Sequence, residues 1–160
     1  MRKFNSFGEF AAFMQTRIEA VPAAARHGLG EAAKIIEAEA KAEIGHYQGA
    51  AGPFKAWEPL SPATLNGFVH ENGTVIPGRE GDDPLLRTGG LRDSIEHQVS
   101  GYVAVVGSND PKAVWQELGT SNAVYPIPPR SFLGGAAVRK GPEAVVEIAE
   151  AVVSVLADKL

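Results

Sequence analysis

The chain of 160 residues contains no cysteine. That excludes disulfides and thiolate metal sites, and it fits synthesis in a reducing cytoplasm. Long hydrophobic runs are also missing. Ala151-Val152-Val153 and Val155-Leu156-Ala157 are far too short to cross a bilayer. The N-terminal MRKFNSFGEF carries two basic residues but no apolar stretch behind them that would read as a leader. A soluble protein with no membrane partner is expected. Basic excess is absent too: 15 Lys and Arg against 19 Asp and Glu leave a net charge of -4. A general nucleic-acid binder needs a cationic surface to displace counterions, so that class is disfavoured.

Signatures of chemistry are equally sparse. The four histidines, His27, His46, His70 and His97, show no ligand spacing. Asp82-Asp83, just ahead of a proline, reads as a solvated loop rather than a site for a hard cation. Gly28-Leu29-Gly30 lies in a helical pattern and lacks the third glycine of a phosphate-binding loop. There is no GxSxG elbow. No nucleophile, base and oxyanion donor stand near one another. The expectation is therefore no catalytic residue, no metal and no cofactor.

What is present is a hydrophobic content of 44%, enough for one domain spanning 1–160 with its own core. Ser6-Phe7-Gly8-Glu9 forms a capping box, and Phe10, Phe13, Met14 and Ile18 follow at helical spacing. Val21-Pro22 should interrupt or restart that helix. A second helix is expected from about Pro22 to Ile44, with Leu29, Ala32, Ala33, Ile36, Ala40 and Ile44 as its apolar stripe and Gly45 ending it. Residues 46–84 have weak periodicity and read as an extended arm or loop. Within them Asn72-Gly73 suits a type I′ hairpin turn between Val69 and Ile76, and Trp57 and Phe68 suggest docking. Beyond Pro84, Thr88 is the expected cap of a short helix carrying Leu91 and Ile95. Glu96 to Val106 reads as strand, with a turn or bulge at Ser100-Gly101. Pro111 to Leu118 should be a helix with Val114, Trp115 and Leu118 inward, closed by Gly119. Ser131 to Val138 is read as a turn or two of helix. Pro142 to Leu156 is a further helix, with Val145, Ile148, Ala149, Val152 and Leu156 as the stripe and Glu143, Glu147 and Glu150 outside. The class is α+β: a small mixed or antiparallel sheet against a long N-terminal helix and a C-terminal helix, with no βαβ alternation and no internal repeat.

Four segments together resemble the small neck and tail-completion proteins of tailed bacteriophages, a family that includes the virion morphogenesis proteins. They are Trp57-Glu58-Pro59-Leu60-Ser61-Pro62-Ala63-Thr64-Leu65; Leu86-Arg87-Thr88-Gly89-Gly90-Leu91-Arg92-Asp93-Ser94-Ile95; Glu117-Leu118-Gly119-Thr120; and Arg130-Ser131-Phe132-Leu133. Their order matches the family pattern over roughly residues 57 to 156. In two places the chain departs from it: Ser131 replaces a proline, and Leu118 replaces an aromatic.

The resemblance implies a structural virion protein, made in the host bacterial cytoplasm and placed at the head-tail junction. It implies a cyclic homo-oligomer, a hexamer or dodecamer, joining portal-adaptor or stopper proteins to tail tube proteins, with DNA only as passing cargo. Interface residues are expected at Trp57, Leu60, Phe68, Arg87, Arg92, Glu117, Thr120, Tyr125, Arg130 and Phe132. The prolines at 126, 128 and 129 stiffen the path that presents the last of these, and an ion pair from Glu117 to Arg130 across the reversal is expected. The 46–84 arm should supply ring contacts, mobile in the free subunit and ordered in the virion. The acidic face of the last helix reads as a solvated surface or, alternatively, as the lining of a DNA channel. A tail-terminator subunit capping the tail tube is the nearest rival reading. A small phage-encoded hydrolase or nucleic-acid processing enzyme is the rival from another class.

Overall fold

The computed structural model describes residues 3–121 and 126–157. Its first element, α1, runs unbroken from Phe7 to Glu43. Ser6 caps it by accepting the Glu9 amide at 3.1 Å, while the Glu9 carboxylate accepts the amide of Asn5 at 2.8 Å. The reciprocal arm of the capping box is thus displaced by one residue. The expected break at Pro22 does not occur. An interior proline forfeits one helical hydrogen bond and costs about 3 kcal/mol. Here it is flanked by Ala20, Ala23, Ala24 and Ala25, the strongest helix formers, and from about Arg17 onward the helix is held by a partner.

That partner is α5, Leu133–Ala157, which likewise passes through a proline, Pro142, so the two C-terminal helical pieces read from the sequence are one. Arg17 donates to the Val155 carbonyl at 3.3 Å near one end and Arg139 pairs with Glu43 near the other, so the two helices run antiparallel. Between these points the backbones nearly touch at Gly28. A Cβ there would lie 2.9 Å from the Ile148 Cα and 3.0 Å from the Ala151 Cβ. The small residues of the α1 stripe permit this approach: Ala32, Ala33 and Ala40 are buried. On α5 the buried line passes through Gly135, Ala136 and Ala144. Val145, Ala149 and Leu156, expected inside, are solvent-exposed, whereas Ile148 and Val152 of the same stripe are half-buried. The fully buried positions of α5 are thus small ones.

Two antiparallel hairpins complete the α+β fold. The expected single strand over 96–106 is a hairpin of β3, Ile95–Ser100, and β4, Val103–Ser108, paired from Ile95↔Ser108 to Ser100↔Val103 around Gly101-Tyr102. Reversal at Gly101 reverses the facing pattern: Ile95 and Val106 turn in, whereas Tyr102, Val103 and Val105 are exposed. This hairpin lies on α1, where the His97 Nδ1 meets the Glu37 carboxylate.

Residues 46–84 hold the other hairpin. After α2, Pro62–Asn66, come β1, Gly67–Val69, and β2, Val75–Pro77. The turn is not type I′. His70 accepts the Gly73 amide at 2.8 Å and donates to the Thr74 carbonyl at 2.8 Å, and only Gly73 takes a positive φ, 84°. Those bonds define a type I turn closed by a glycine bulge. The short helix α3, Gly90–Asp93, is capped by Gly89 instead of Thr88. The core joins Ala40 of α1, Ile44 just past its end, Trp57, Leu91, Ile95, Ala113, Phe132 and Ala136.

Candidate functional site

The helix α4, Pro111–Leu118, is capped by Asp110, whose side chain accepts the Lys112 amide at 2.9 Å. Only Ala113 of α4 is buried, while Trp115 is 51% and Leu118 72% exposed. The inward assignment of Val114, Trp115 and Leu118 is therefore corrected. The helix rests on its small residue and offers its large apolar ones to the outside.

At its C-terminal end Gly119, with φ 73°, begins the reversal. A Cβ there would come within 2.7 Å of the Ile127 carbonyl oxygen, so only glycine fits. The two limbs are latched by the Thr120 amide on Ile127 O at 2.9 Å, the Ile127 amide on the Thr120 hydroxyl at 3.1 Å, and the Arg130 amide on Gln116 O at 2.6 Å.

Glu117 does not pair with Arg130. Its carboxylate accepts the amides of Phe132, Leu133 and Gly134, each at 2.9 Å, together with the Ser131 hydroxyl. An acid from α4 thus caps the positive N-terminus of α5. Ser131, where the resemblance leads one to expect proline, supplies a donor that proline lacks.

Arg130 points elsewhere. It is 5% exposed, and its Nη2 donates to the carbonyls of Glu58 at 2.9 Å and Pro59 at 3.4 Å. Among the described residues its buried Nε has no hydrogen-bond partner, and neither has the buried Nε of Arg79. Burial pulls the Arg130 guanidinium below its usual pKa, the nearby Tyr47 and Glu58 opposing this; an arginine nonetheless keeps its proton at physiological pH.

Arg130 lies in the wall of a groove of about 670 Å³ bordered by 58–61, 87–91, Lys112, Gln116 and 126–128. Arg79, Arg87 and Lys112 bring three more cations to the lining, against the single carboxylate of Glu58. Arg79 is oriented by its amide bond to Thr64 O at 3.1 Å and by its Nη2 on Leu86 O at 2.6 Å. Ser61 caps α2 through the Thr64 amide at 3.2 Å. A second cavity of about 540 Å³ shares Ser61, Thr64, Arg79 and Arg87 and continues over Ala63, Phe68, Ile76 and Pro77. The pair makes a trough with a cationic end and an apolar end. Its lining chemistry is recognition of an anionic group by charge and hydrogen bonding.

Of the residues expected at an interface, Leu60, Phe68, Arg87 and Arg130 line this trough. Trp57, 5% exposed, and Phe132, fully buried, are core instead; both meet Leu91 and Ile95 in the same cluster. Arg92 is outside the trough and pairs with Asp93 at 3.0 Å. Glu117 and Thr120 serve the reversal. Tyr125 lies outside the described residues. Sequence reasoning missed Arg79 and Lys112. The Arg79 signal was a lone cation between Gly78 and Glu80 in a weakly patterned segment, and nothing local tied it to Leu86.

Among the described residues no three His, Asp or Glu side chains cluster to hold a metal ion, and no helix is long and apolar enough to cross a membrane. No protein-family model, curated protein or solved structure matches the chain.

Proposed function

We propose that the chain is a structural virion protein of the head-tail junction of a tailed bacteriophage: a neck or tail-completion subunit that forms a ring between the portal-adaptor complex and the tail tube. The observation that carries this reading is how the four resembling segments are used. Trp57, Leu91, Ile95 and Phe132 pack on one another, Glu117 fastens the Arg130-Leu133 segment at its start, and the margins of three segments border one trough. Motif residues devoted to mutual packing suit a scaffold whose product is a shape. The exposed Val114, Trp115 and Leu118 beside that trough suit a surface covered by assembly.

A ring needs two different patches per subunit, each meeting its counterpart on the next copy. Native mass measurement of the purified chain, alone and with portal-adaptor and tail-tube proteins, tests the reading. A closed oligomer that binds the adaptor is expected for a neck subunit; one that binds only the tube marks a tail terminator. A chain that stays monomeric with every partner and never enters particles overturns the proposal.

A further inference from the structure

The trough holds more positive charge than its own lining neutralises: Arg79, Arg87, Lys112 and Arg130 share the one carboxylate of Glu58. Among the described residues, Arg130 is buried with carbonyls as its only acceptors, the Nε atoms of Arg79 and Arg130 are unsatisfied, and Lys112 reaches a carboxylate only loosely, 3.8 Å from Asp110. Glu58 is the one carboxylate in the groove lining, and among the described residues no carboxylate stands in ion-pair contact with Arg130, so its desolvation is only partly offset. A carboxylate brought in from outside would relieve it.

The chain carries a complementary surface elsewhere. On α5, Glu143, Val146, Glu150 and Val153 follow at intervals of three and four, which places them in one line along the helix. All four are exposed. Its two acids span residues 143 to 150 and Val153 lies beyond them, so the line can offer carboxylates to the cationic end of the trough and a terminal valine to its apolar end. Glu143 has only Lys140 of its own chain, at 2.7 Å. The line cannot serve its own trough: Glu150 lies about 25 Å along a rigid helix from Leu133, at a rise of 1.5 Å per residue, and Leu133 is three residues past Arg130.

We infer, resting on the ring reading above, that the trough is the socket for the Glu143–Val153 line of α5 from a neighbouring copy. Arg87, Lys112 and Arg130 face the carboxylates, and the Phe68, Ile76 and Pro77 end takes a valine. The two patches are distinct surfaces of one chain, so the contact is heterologous and propagates from copy to copy until it closes.

Sedimentation equilibrium or mass photometry of the full chain over a concentration series tests this with charge reversals at exposed positions. Arg87→Glu with Lys112→Glu reverses the socket; Glu143→Lys with Glu150→Lys reverses the line. Each variant should keep the wild-type circular dichroism and melting curve. Each should lose self-association by about 100-fold or more, since facing like charges cost several kcal/mol and each 1.4 kcal/mol is tenfold. An equimolar mixture restores opposite charges at every contact, and association should return. Rings that form normally in either variant, or loss in both without recovery on mixing, overturn the inferred contact and leave ring assembly standing. A wild-type chain that stays single at every concentration overturns both.

Discussion

The Glu117 carboxylate accepts the Phe132 amide at 2.9 Å, and the Phe132 ring is wholly buried in the core. The same acid takes the next two amides and the Ser131 hydroxyl, so one side chain aligns the start of α5 and seats the aromatic. Glu117→Ala should cost about 3 kcal/mol, because several partly buried donors lose their acceptor together. Glu117→Gln, which retains one acceptor oxygen, should fall between it and wild type. Urea unfolding of the three proteins measures the order; an unchanged midpoint for Glu117→Ala would contradict it.

Gly28 and Gly30 make a matched pair on α1. Alanine gains about 1 kcal/mol over glycine in a helix interior. At Gly30 nothing lies within 4 Å of the added methyl, so Gly30→Ala should raise the melting temperature. At Gly28 the methyl meets the Ile148 backbone at 2.9 Å, which α5 can relieve only by moving away. Overpacking of that kind costs about 1–3 kcal/mol, so Gly28→Ala should lower it. Thermal denaturation of the two variants gives opposite signs, or the close approach is wrong.

Glu43 carries a pH dependence. Burial drives its carboxyl up from 4.5 to about 7 against the pull of Arg139, with Glu39 and Glu117 adding to the rise. Below 4.5 the group is protonated in both states. Between 4.5 and about 7 the unfolded chain releases the proton that the folded chain keeps, so this group's contribution to stability falls as pH rises. Above that window the loss is constant. Glu37 has the opposite sign: its bonds to Lys41 and then His97 hold it below the usual value, and its contribution is lost only as pH falls further. Glu43→Gln should therefore flatten the decline between pH 4.5 and 7 in a series of denaturant melts, leaving the acid limb in place.

Trp115 and Phe132 separate surface from core. Phe132→Ala should cost about 3–5 kcal/mol, the usual range for a fully buried ring. Trp115→Ser, alone or with Leu118→Ser, should change monomer stability by only about 0.5 kcal/mol. If α4 meets a partner, those same changes should weaken binding to the ring or adaptor. Parallel melts and mass measurements make the comparison.

Much of this architecture could be read from residue order alone, and Trp115 shows where reading stops. Spacing places Val114, Trp115 and Leu118 on one side of a helix, but it does not say whether that side faces the core. The buried side is marked by Ala113, too small to stand out. Pro22 and Pro142 look like breaks because local propensity opposes them; the α1–α5 packing that overrides it joins residues far apart in the chain. Phe132 and Leu91 were visible as apolar anchors, but their burial decides that they are core. The socket was half visible through Arg87 and Arg130. Its depth depends on Arg79 and on carbonyls of Glu58 and Pro59, more than seventy residues before Arg130, and no local pattern encodes that distance. Glu117 was singled out, but its partner was misread, because an unpaired helix N-terminus attracts an acid as strongly as an arginine does.

With Arg17 already beside Val155, the first turns of α1 run on past Ala157, the last described residue of α5. The Phe4 ring folds back over them, 5.2 Å from both Phe10 and Phe13. A stretch that short is marginal as an isolated helix in water and holds here as the extension of a rod nucleated elsewhere. Melting of this helix therefore starts at the Phe7 tip and travels inward, and its amides exchange in graded order, fastest near Phe10 and slowest by Ala32 and Ala33.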